Sequence, residues 1–291
     1  MVTTLRNLYL GTRRQLLTKE DRDTAEFYAQ ELVCHFTGKH KDQLFSDPDM
    51  YIGDAVCDQV EAGLVRLMND APLAYVLGEW DFFGMTLKVN ENVLIPRDDT
   101  CAVVELALEE AKKRVGEIRV LDLCTGSGCI GLAIAKNVPA ARVTLADISS
   151  AALAVAKENV TKQKLSGRVA CTTADALQKP PAFLGKFDII ISNPPYITTS
   201  EMKELPRSVD AYEPHLALHG GDDGLRFYRA ISQNYRDALK DGGILCFEFG
   251  EGQGDDVSQI LAENGFTVLK RTKDYNERER AISARYQRED E

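Results

Sequence analysis

Apolar positions recur at helical spacing through residues 1–72. The runs "TLRNLYLGTRRQLL", "TKEDRDTAEFYAQELVCHFTG" and "GDAVCDQVEAGLVRLMND" each set an apolar stripe on one face of a 3.6-residue period. The second opens on Thr18 followed by acidic residues and closes on Gly38, the order of a capped helix start and a left-handed stop. A small helical domain over 1–72 is predicted. The pattern changes in "PLAYVLGEWDFFGMTLKVNENVLIPR", where aromatic and β-branched residues alternate around Gly84. A β-hairpin connector over 73–98 is expected there.

The helical period returns from Asp99 to Val115, and the chain then alternates. "IRVLDLC", "ARVTLAD", "GRVACTTA", "KFDIIISN" and "GGILCFEFG" read as strands; "GCIGLAIAKN", "SSAALAVAKENVTKQ", "GLRFYRAISQNYRDALK" and "GDDVSQILAENG" read as helices. Such alternation implies an α/β fold with a doubly wound, mostly parallel sheet. Two last β-like runs, "FTVLKRTKDY" and "RERAISARYQ", have no helix between them and are expected as an antiparallel pair at one edge. That makes a seven-stranded sheet in a domain over 99–291.

Composition narrows the function classes. The 291 residues suit one large and one smaller domain, and 44% hydrophobic with 27% charged residues is ordinary for a soluble globular chain. The net charge of −10 is a poor match for phosphate backbones, which need clustered Lys and Arg. Residues 1–72 hold eight Lys and Arg against twelve Asp and Glu, so they are not a basic arm. No direct nucleic-acid contact is expected. No apolar run approaches the ~20 residues that span a membrane, and "MVTTLRNLYL" lacks the core and cleavage site of a signal peptide. The seven cysteines form no CxxC pair and sit mostly in apolar segments, as buried thiols do in a reducing compartment. A cytoplasmic protein is expected. His215 and His219 are spaced i, i+4, but Pro214 and "GG" flank them, so no metal site is expected.

Candidate chemistry begins at "VLDLCTGSGCIGLAIA", a strand, Gly-rich turn and helix. Gly126, Gly128 and Gly131 fit G-x-G-x-x-G, and Asp147 follows at the end of the next strand, 21 residues after Gly126. This is the fingerprint of a nucleoside-binding βαβ unit, with the carboxylate placed for ribose hydroxyls. The pattern is compatible with NAD or with S-adenosylmethionine. Asp122 favours the second, since a carboxylate there repels a pyrophosphate and suits an ammonium. The extra residues in "LCTGSG" before the first glycine favour it too.

The stretch "SNPPY" (192–196) ends the strand that should lie beside the glycine-loop strand, and ligands of such sheets bind outside the carboxyl ends of the strands. Pro fixes φ near −65° and pushes the preceding residue to extended backbone, so Asn193-Pro194-Pro195 is a stiff arm. The Asn193 side-chain oxygen and a nearby backbone carbonyl make two acceptors suited to one planar –NH₂, with Tyr196 a flat surface beside it. Alone the stretch is a rigid strand stop. Next to the glycine loop it is a site for methylating an amide or aryl amine.

At this point the sequence resembles the N5-glutamine methyltransferases that modify class I peptide chain release factors. The landmarks "LAYVLGEWDFFGMTLKVNENVLIPR", "VLDLCTGSGCIGLAIA", "DIIISNPPYI", "YEPHLALHGGDDGLRFYRAI" and "KDYNERERAISARY" span nearly the whole chain. The resemblance implies a Rossmann-like class I methyltransferase. It implies S-adenosyl-L-methionine held by Thr125, Gly126, Ser127, Gly128, Asp147, Asp175 and Asn193, with S-adenosyl-L-homocysteine as product. Asn193, Pro194 and Tyr196 would do the catalysis, and Arg97 and Pro195 would join them in gripping the glutamine of a Gly-Gly-Gln loop. The N-terminal helices would dock the release factor, and a monomer is expected. The family pattern "IPRPDTE" reads "IPRDDTC" here, with Asp98 and Cys101 as departures in a segment expected to border the substrate. An amino-methyltransferase acting on adenine N6 or guanine N2 presents the same –NH₂ to an "NPPY" arm and is the alternative. A non-catalytic adenosine-ligand binder is a third reading, against which the intact arm speaks.

Overall fold

The computed structural model describes residues 3–287, so residues 1–2 and 288–291, the ends of the expected 1–72 and 99–291 domains, lie outside it. The chain divides into two compact units. One runs to Gly78 and takes in Arg207–Tyr212; the other holds Glu79–Pro206 and the chain from Glu213 onwards.

The first unit is helical: α1 (Leu5–Leu16), α2 (Arg22–Thr37), α3 (Asp54–Met68) and the short α4 (Leu73–Leu77). Helix α2 is capped by Asp21, which accepts from the amides of Asp23 and Thr24 at 2.9 and 3.0 Å. Thr18, expected as the cap, instead donates its hydroxyl to the Gln15 carbonyl at 2.7 Å. A carboxylate gains more than a hydroxyl from the positive end of a helix, which explains the later start. Gly38 ends α2 with φ 65°, as expected. Leu5, Leu16, Leu32 and Leu64 are buried in this unit. Tyr212 donates to the Asn69 carbonyl at 2.7 Å, which ties the 207–212 segment to it.

In the second unit β1 (Glu79–Phe82) and β2 (Met85–Lys88) form the hairpin, turned by Phe83 and Gly84 at φ 48° and 70°. Two positive-φ residues are what a tight hairpin of matching twist requires. The hairpin is shorter than the aromatic pattern indicates. Leu73–Leu77 is helical because Pro72 starts a turn and Gly78, at φ 75°, closes it.

The main elements follow as α5 (Cys101–Lys112), β3 (Ile118–Leu123), α6 (Cys129–Asn137), β4 (Ala141–Asp147), α7 (Ser150–Lys162), β5 (Val169–Thr173), β6 (Phe187–Ser192), α8 (Arg226–Asn234), β7 (Leu239–Glu248), α9 (Gly254–Glu263), β8 (Phe266–Lys273) and β9 (Glu279–Tyr286). The seven strands lie in the order β8-β9-β7-β6-β3-β4-β5. The five from β7 to β5 are parallel, and β9 runs antiparallel between β7 and β8. This is the doubly wound, seven-stranded sheet that the alternation predicts. One difference is local: "DALK" does not continue the α-helix, since α8 ends at Asn234, Arg236–Ala238 form a 3₁₀ turn and Leu239 already pairs with Phe187 in the sheet.

The chain steps outward from β3 through β4 to β5, then returns to place β6 on the other side of β3. The carboxyl ends of β3 and β6 therefore flank the point where the winding reverses. Two apolar layers cover the sheet. One includes Val103, Leu132 and Val143; the other is rich in rings, with Tyr228, Tyr235, Phe247 and Phe249 fully buried. Among the described residues no helix is long and apolar enough to cross a membrane.

Candidate active site

Past the end of β3 the backbone turns left-handed three times, at Cys124 (φ 61°), Gly126 (φ 54°) and Gly128 (φ 84°). A non-glycine in that region is strained, so the turn must be held from outside. Asp122 does the holding. Its Oδ2 accepts from the Gly131 amide at 2.9 Å and from the Thr125 hydroxyl, so one carboxylate joins the start of the loop to the first turn of α6. Glycine at 131 lets α6 press on the sheet, since a Cβ there would stand 2.3 Å from Leu145 Cδ2 and 3.0 Å from Asp122 Oδ2. Asp122 is wholly buried, and burial pushes its carboxyl up to about 7. The expectation that Asp122 faces a ligand ammonium is therefore corrected: it lies beneath the loop and shapes it.

Asp147 closes the other side. Its Oδ2 accepts from Gly126 N and its Oδ1 from Ser149 N, each at 2.9 Å. Burial pushes this carboxyl up, and the two amide bonds oppose the shift. Asp175 accepts from Leu177 N at 2.8 Å. Thr125, Gly126, Ser127, Asp147 and Asp175 all line one crevice, together with apolar Ile148, Ala152, Leu177 and Phe227. Gly128 does not line it; it starts α6 and packs on Leu145. The donor set suits an adenosine ligand. Each carboxylate oxygen has lone pairs beyond the amide it accepts, and the apolar walls suit a flat base.

Ser192 and Leu123 are register partners at the ends of β6 and β3, and the Ser192 hydroxyl donates to the Leu123 carbonyl at 2.6 Å. Asn193 and Pro195 thus enter the same crevice as the glycine loop. Pro194 is buried and Tyr196 half-buried; neither lines the crevice wall. Burial raises the Tyr196 hydroxyl well above its ordinary value. The backbone of the arm is gripped from behind. Gln253 Nε2 donates to Tyr196 O at 3.3 Å. A Cβ on Gly224 would stand 2.3 Å from Tyr196 O, and one on Gly220 would stand 2.7 Å from Pro195 O. The glycines of "HGGDDG" let a second backbone press on the arm.

Arg97 and Thr100 also line the crevice, as do Pro214, Leu216 and Ala217. The Arg97 guanidinium is ion-paired with Glu213, which is 4% exposed and also accepts from Ile95 N at 3.2 Å. Glu213 thereby fastens "LIPR" to "YEPHLAL". Asp98 and Cys101 are not among the lining residues, and burial pushes the Cys101 thiol up to about 11. Sequence reading did not single out Thr100, Glu213 or Gln253 as site residues. Their partners are remote in the chain, Arg97 and Glu213 being 116 positions apart. His215 and His219 are separated by a 3₁₀ turn, and His219 pairs with Thr199 at 3.0 Å.

The strand order, the glycine loop ending β3 and the carboxylate ending β4 define a Rossmann-like class I methyltransferase. A solved methyltransferase from Pyrococcus furiosus shares the fold with a TM-score of 0.51 at 15% identity, over 78% of this chain and 98% of that one. The Methyltransferase small domain family matches residues 99–209, and the PrmC N-terminal domain family matches residues 11–78. A release factor glutamine methyltransferase from Clostridium acetobutylicum is 36% identical over 269 residues, 91% of this chain and 93% of that protein. One from Streptococcus pneumoniae is 44% identical over 199 residues, 68% of this chain and 69% of that protein. The chain belongs to the release factor glutamine methyltransferase family.

Proposed function

We propose that the chain transfers a methyl group from S-adenosyl-L-methionine to the side-chain N5 of the glutamine in the Gly-Gly-Gln loop of class I peptide chain release factors. The observation that carries this reading is the entry of Asn193 into the glycine-loop crevice, from the end of the strand neighbouring β3. Thr125, Gly126 and Ser127 would cradle the methionine part of the cofactor, Asp147 would accept from the ribose and Asp175 would sit by the adenine. Gly128 contributes by setting the start of α6. When bound, the cofactor would supply an electrophilic methyl group and be left as S-adenosyl-L-homocysteine, and the methylated amide nitrogen would shed one proton to solvent after the transfer.

The residues of the chain then have to make a poor nucleophile react. An amide nitrogen is planar and its lone pair is delocalised. Asn193 Oδ1 and a backbone carbonyl of the arm would each accept one N–H of the substrate amide, holding the nitrogen in line and favouring positive charge on it. Pro195 and Tyr196 keep the arm stiff. Arg97, anchored by Glu213, would bound the glutamine backbone. Alignment alone can supply up to ~7–11 kcal/mol of the barrier, and fixed dipoles that need not reorganise add to it.

The N-terminal helices would dock the release factor, and we infer a cytoplasmic monomer that makes no direct contact with nucleic acid. The alternative acceptor is the amino group of adenine N6 or guanine N2, which has the same planar –NH₂; the net charge of −10 disfavours it. Labelled methyl transfer to recombinant release factor, ribosomal RNA and DNA in parallel separates the two. Label on the release factor is expected. Label on nucleic acid alone overturns the reading.

A further inference from the structure

Beneath Asn193 lies a carboxyl group that this account of the reaction leaves unused. Glu248 ends β7 in "CFEFG", between the wholly buried rings of Phe247 and Phe249. It is 2% exposed, and its Oε2 has no hydrogen-bond partner. A buried carboxylate is costly unless it is paired. The nearby cation does not pair with it: Arg280, 6% exposed, bonds to Asp99 at 3.2 Å, Asp274 at 3.4 Å and the Phe249 carbonyl at 3.3 Å. The polar and titratable groups that act on Glu248 include Thr100, Asn193, Arg280, Asp99, Tyr196, Tyr228 and the Cys101 and Cys129 thiols. Tyr228 is committed to the main-chain oxygen of Glu248 at 3.1 Å.

Thr100 and Asn193 remain. Thr100 is 2% exposed, and its Oγ1 accepts from Asn193 Nδ2 at 3.4 Å. Phe247 and Ser192 are register partners at the ends of β7 and β6, so Glu248 stands beside Asn193, and the Thr100 and Asn193 side chains both favour its charged form. An asparagine amide has nearly the same shape in its two orientations, which differ in which end donates. If Asn193 were flipped it would present –NH₂ to the –NH₂ of its substrate, and the grip would fail. An ionised carboxylate can only accept, so the side facing Glu248 and Thr100 must be the donating side.

We propose that Glu248 is a positioning residue: through Thr100 it holds the Nδ2 side of Asn193 and so turns Oδ1 into the crevice to accept the substrate amide. This rests on the reading of Asn193 as the acceptor for the transferred-to nitrogen. Ionised Glu248 enforces the orientation; protonated Glu248 can donate as well as accept and no longer does. Burial pushes this carboxyl up to about 7, which places the change within a measurable range.

The test compares wild type with Glu248→Gln, Thr100→Val and Thr100→Ser, with Asn193→Ala alongside. The measurements are kcat and KM for the methyl acceptor, cofactor affinity by calorimetry, and melting temperature. Glu248→Gln should lower kcat roughly 10- to 100-fold, the effect expected when a catalytic hydrogen bond is mis-set. Cofactor affinity should stay within about twofold, since the glycine loop is untouched. Wild-type kcat should fall as pH drops through about 7, and Glu248→Gln should lose that limb. Thr100→Val should match Glu248→Gln, and Thr100→Ser should recover most of the loss. Wild-type kcat in Glu248→Gln, or a loss that tracks cofactor affinity and melting temperature, overturns the proposal. If Glu248→Gln does not fold, the Thr100 pair decides, and equal kcat in Thr100→Val and wild type overturns it. Asn193→Ala with wild-type turnover removes the underlying reading; a crippled Asn193→Ala beside an intact Glu248→Gln overturns this inference alone.

Discussion

Asn159 on α7 donates from Nδ2 to the carbonyl of Ser127 in the glycine loop at 2.9 Å. The same amide accepts from Lys88 N at 2.6 Å and donates to Lys88 O at 2.9 Å, so one wholly buried side chain joins the hairpin to the cofactor loop. Asn159→Ala leaves the buried Ser127 carbonyl without this partner, at about 1–3 kcal/mol before the site relaxes, and frees the part-buried Lys88 amide and carbonyl at a smaller cost. We expect a lower melting temperature and cofactor affinity weakened about tenfold or more, read by calorimetry. Unchanged cofactor affinity would mean that the latch does not support the loop.

Gly131→Ala tests how closely α6 meets the sheet. The added methyl would meet Leu145 at 2.3 Å and Asp122 Oδ2 at 3.0 Å. Overpacking of this kind costs about 1–3 kcal/mol, visible in urea unfolding. Gly11→Ala is the control, since that glycine is exposed within α1 and a Cβ there meets nothing within 4 Å. It should stabilise by roughly 0.5–1 kcal/mol.

Gly224→Ala should separate the substrate side from the cofactor side. Its φ is 72°, and a Cβ would stand 2.3 Å from Tyr196 O, so the arm must move. A displacement near 1 Å can cost on the order of 100-fold in rate. We expect that loss in kcat with cofactor affinity nearly intact. Parallel losses in both would show that the two halves of the crevice are not independent.

The buried Asp122 makes stability depend on pH in a defined direction. Its carboxyl titrates near 7 when folded against 3.8 in the free side chain. Below about 4 it is protonated in both states and has no effect. Between about 4 and 7 folding takes up a proton, so its contribution to stability falls as pH rises, and above 7 it levels off. Asp122→Asn removes this term, and its amide oxygen can still accept from Gly131 and Thr125. Relative to wild type, the variant should be more stable at pH 8 than at pH 5 in urea titrations. The same offset at both pH values would contradict the assignment.

Much of the sheet was legible because its central strands are buried on both faces and read as apolar runs, "IRVLDL" and "FDIIIS" above all. The glycine loop was legible because G-x-G-x-x-G has a backbone cause, and its 21-residue spacing to Asp147 is realised as the Gly126–Asp147 hydrogen bond. Asp122 was misjudged because a sequence gives a carboxylate's position on a strand without the side it faces. The helix at Leu73–Leu77 was hidden by strand-favouring residues, and Pro72 and Gly78 were the local signals that outweighed them. Glu213 and Glu248 act on residues far away in the chain. The one available sign of Glu248 was a lone acid in an otherwise apolar strand end, "CFEF".

The central claim is that the arm at Asn193 presents acceptors to a glutamine amide in front of a methyl donor. The most direct measurement is mass spectrometry of the Gly-Gly-Gln peptide from a class I release factor incubated with S-adenosyl-L-methionine and either wild type or Asn193→Ala. The account predicts one added methyl group on the glutamine side chain with wild type. It predicts none with Asn193→Ala, although that variant still binds the cofactor. An unmethylated glutamine with active wild type, or equal methylation by the two proteins, would contradict it.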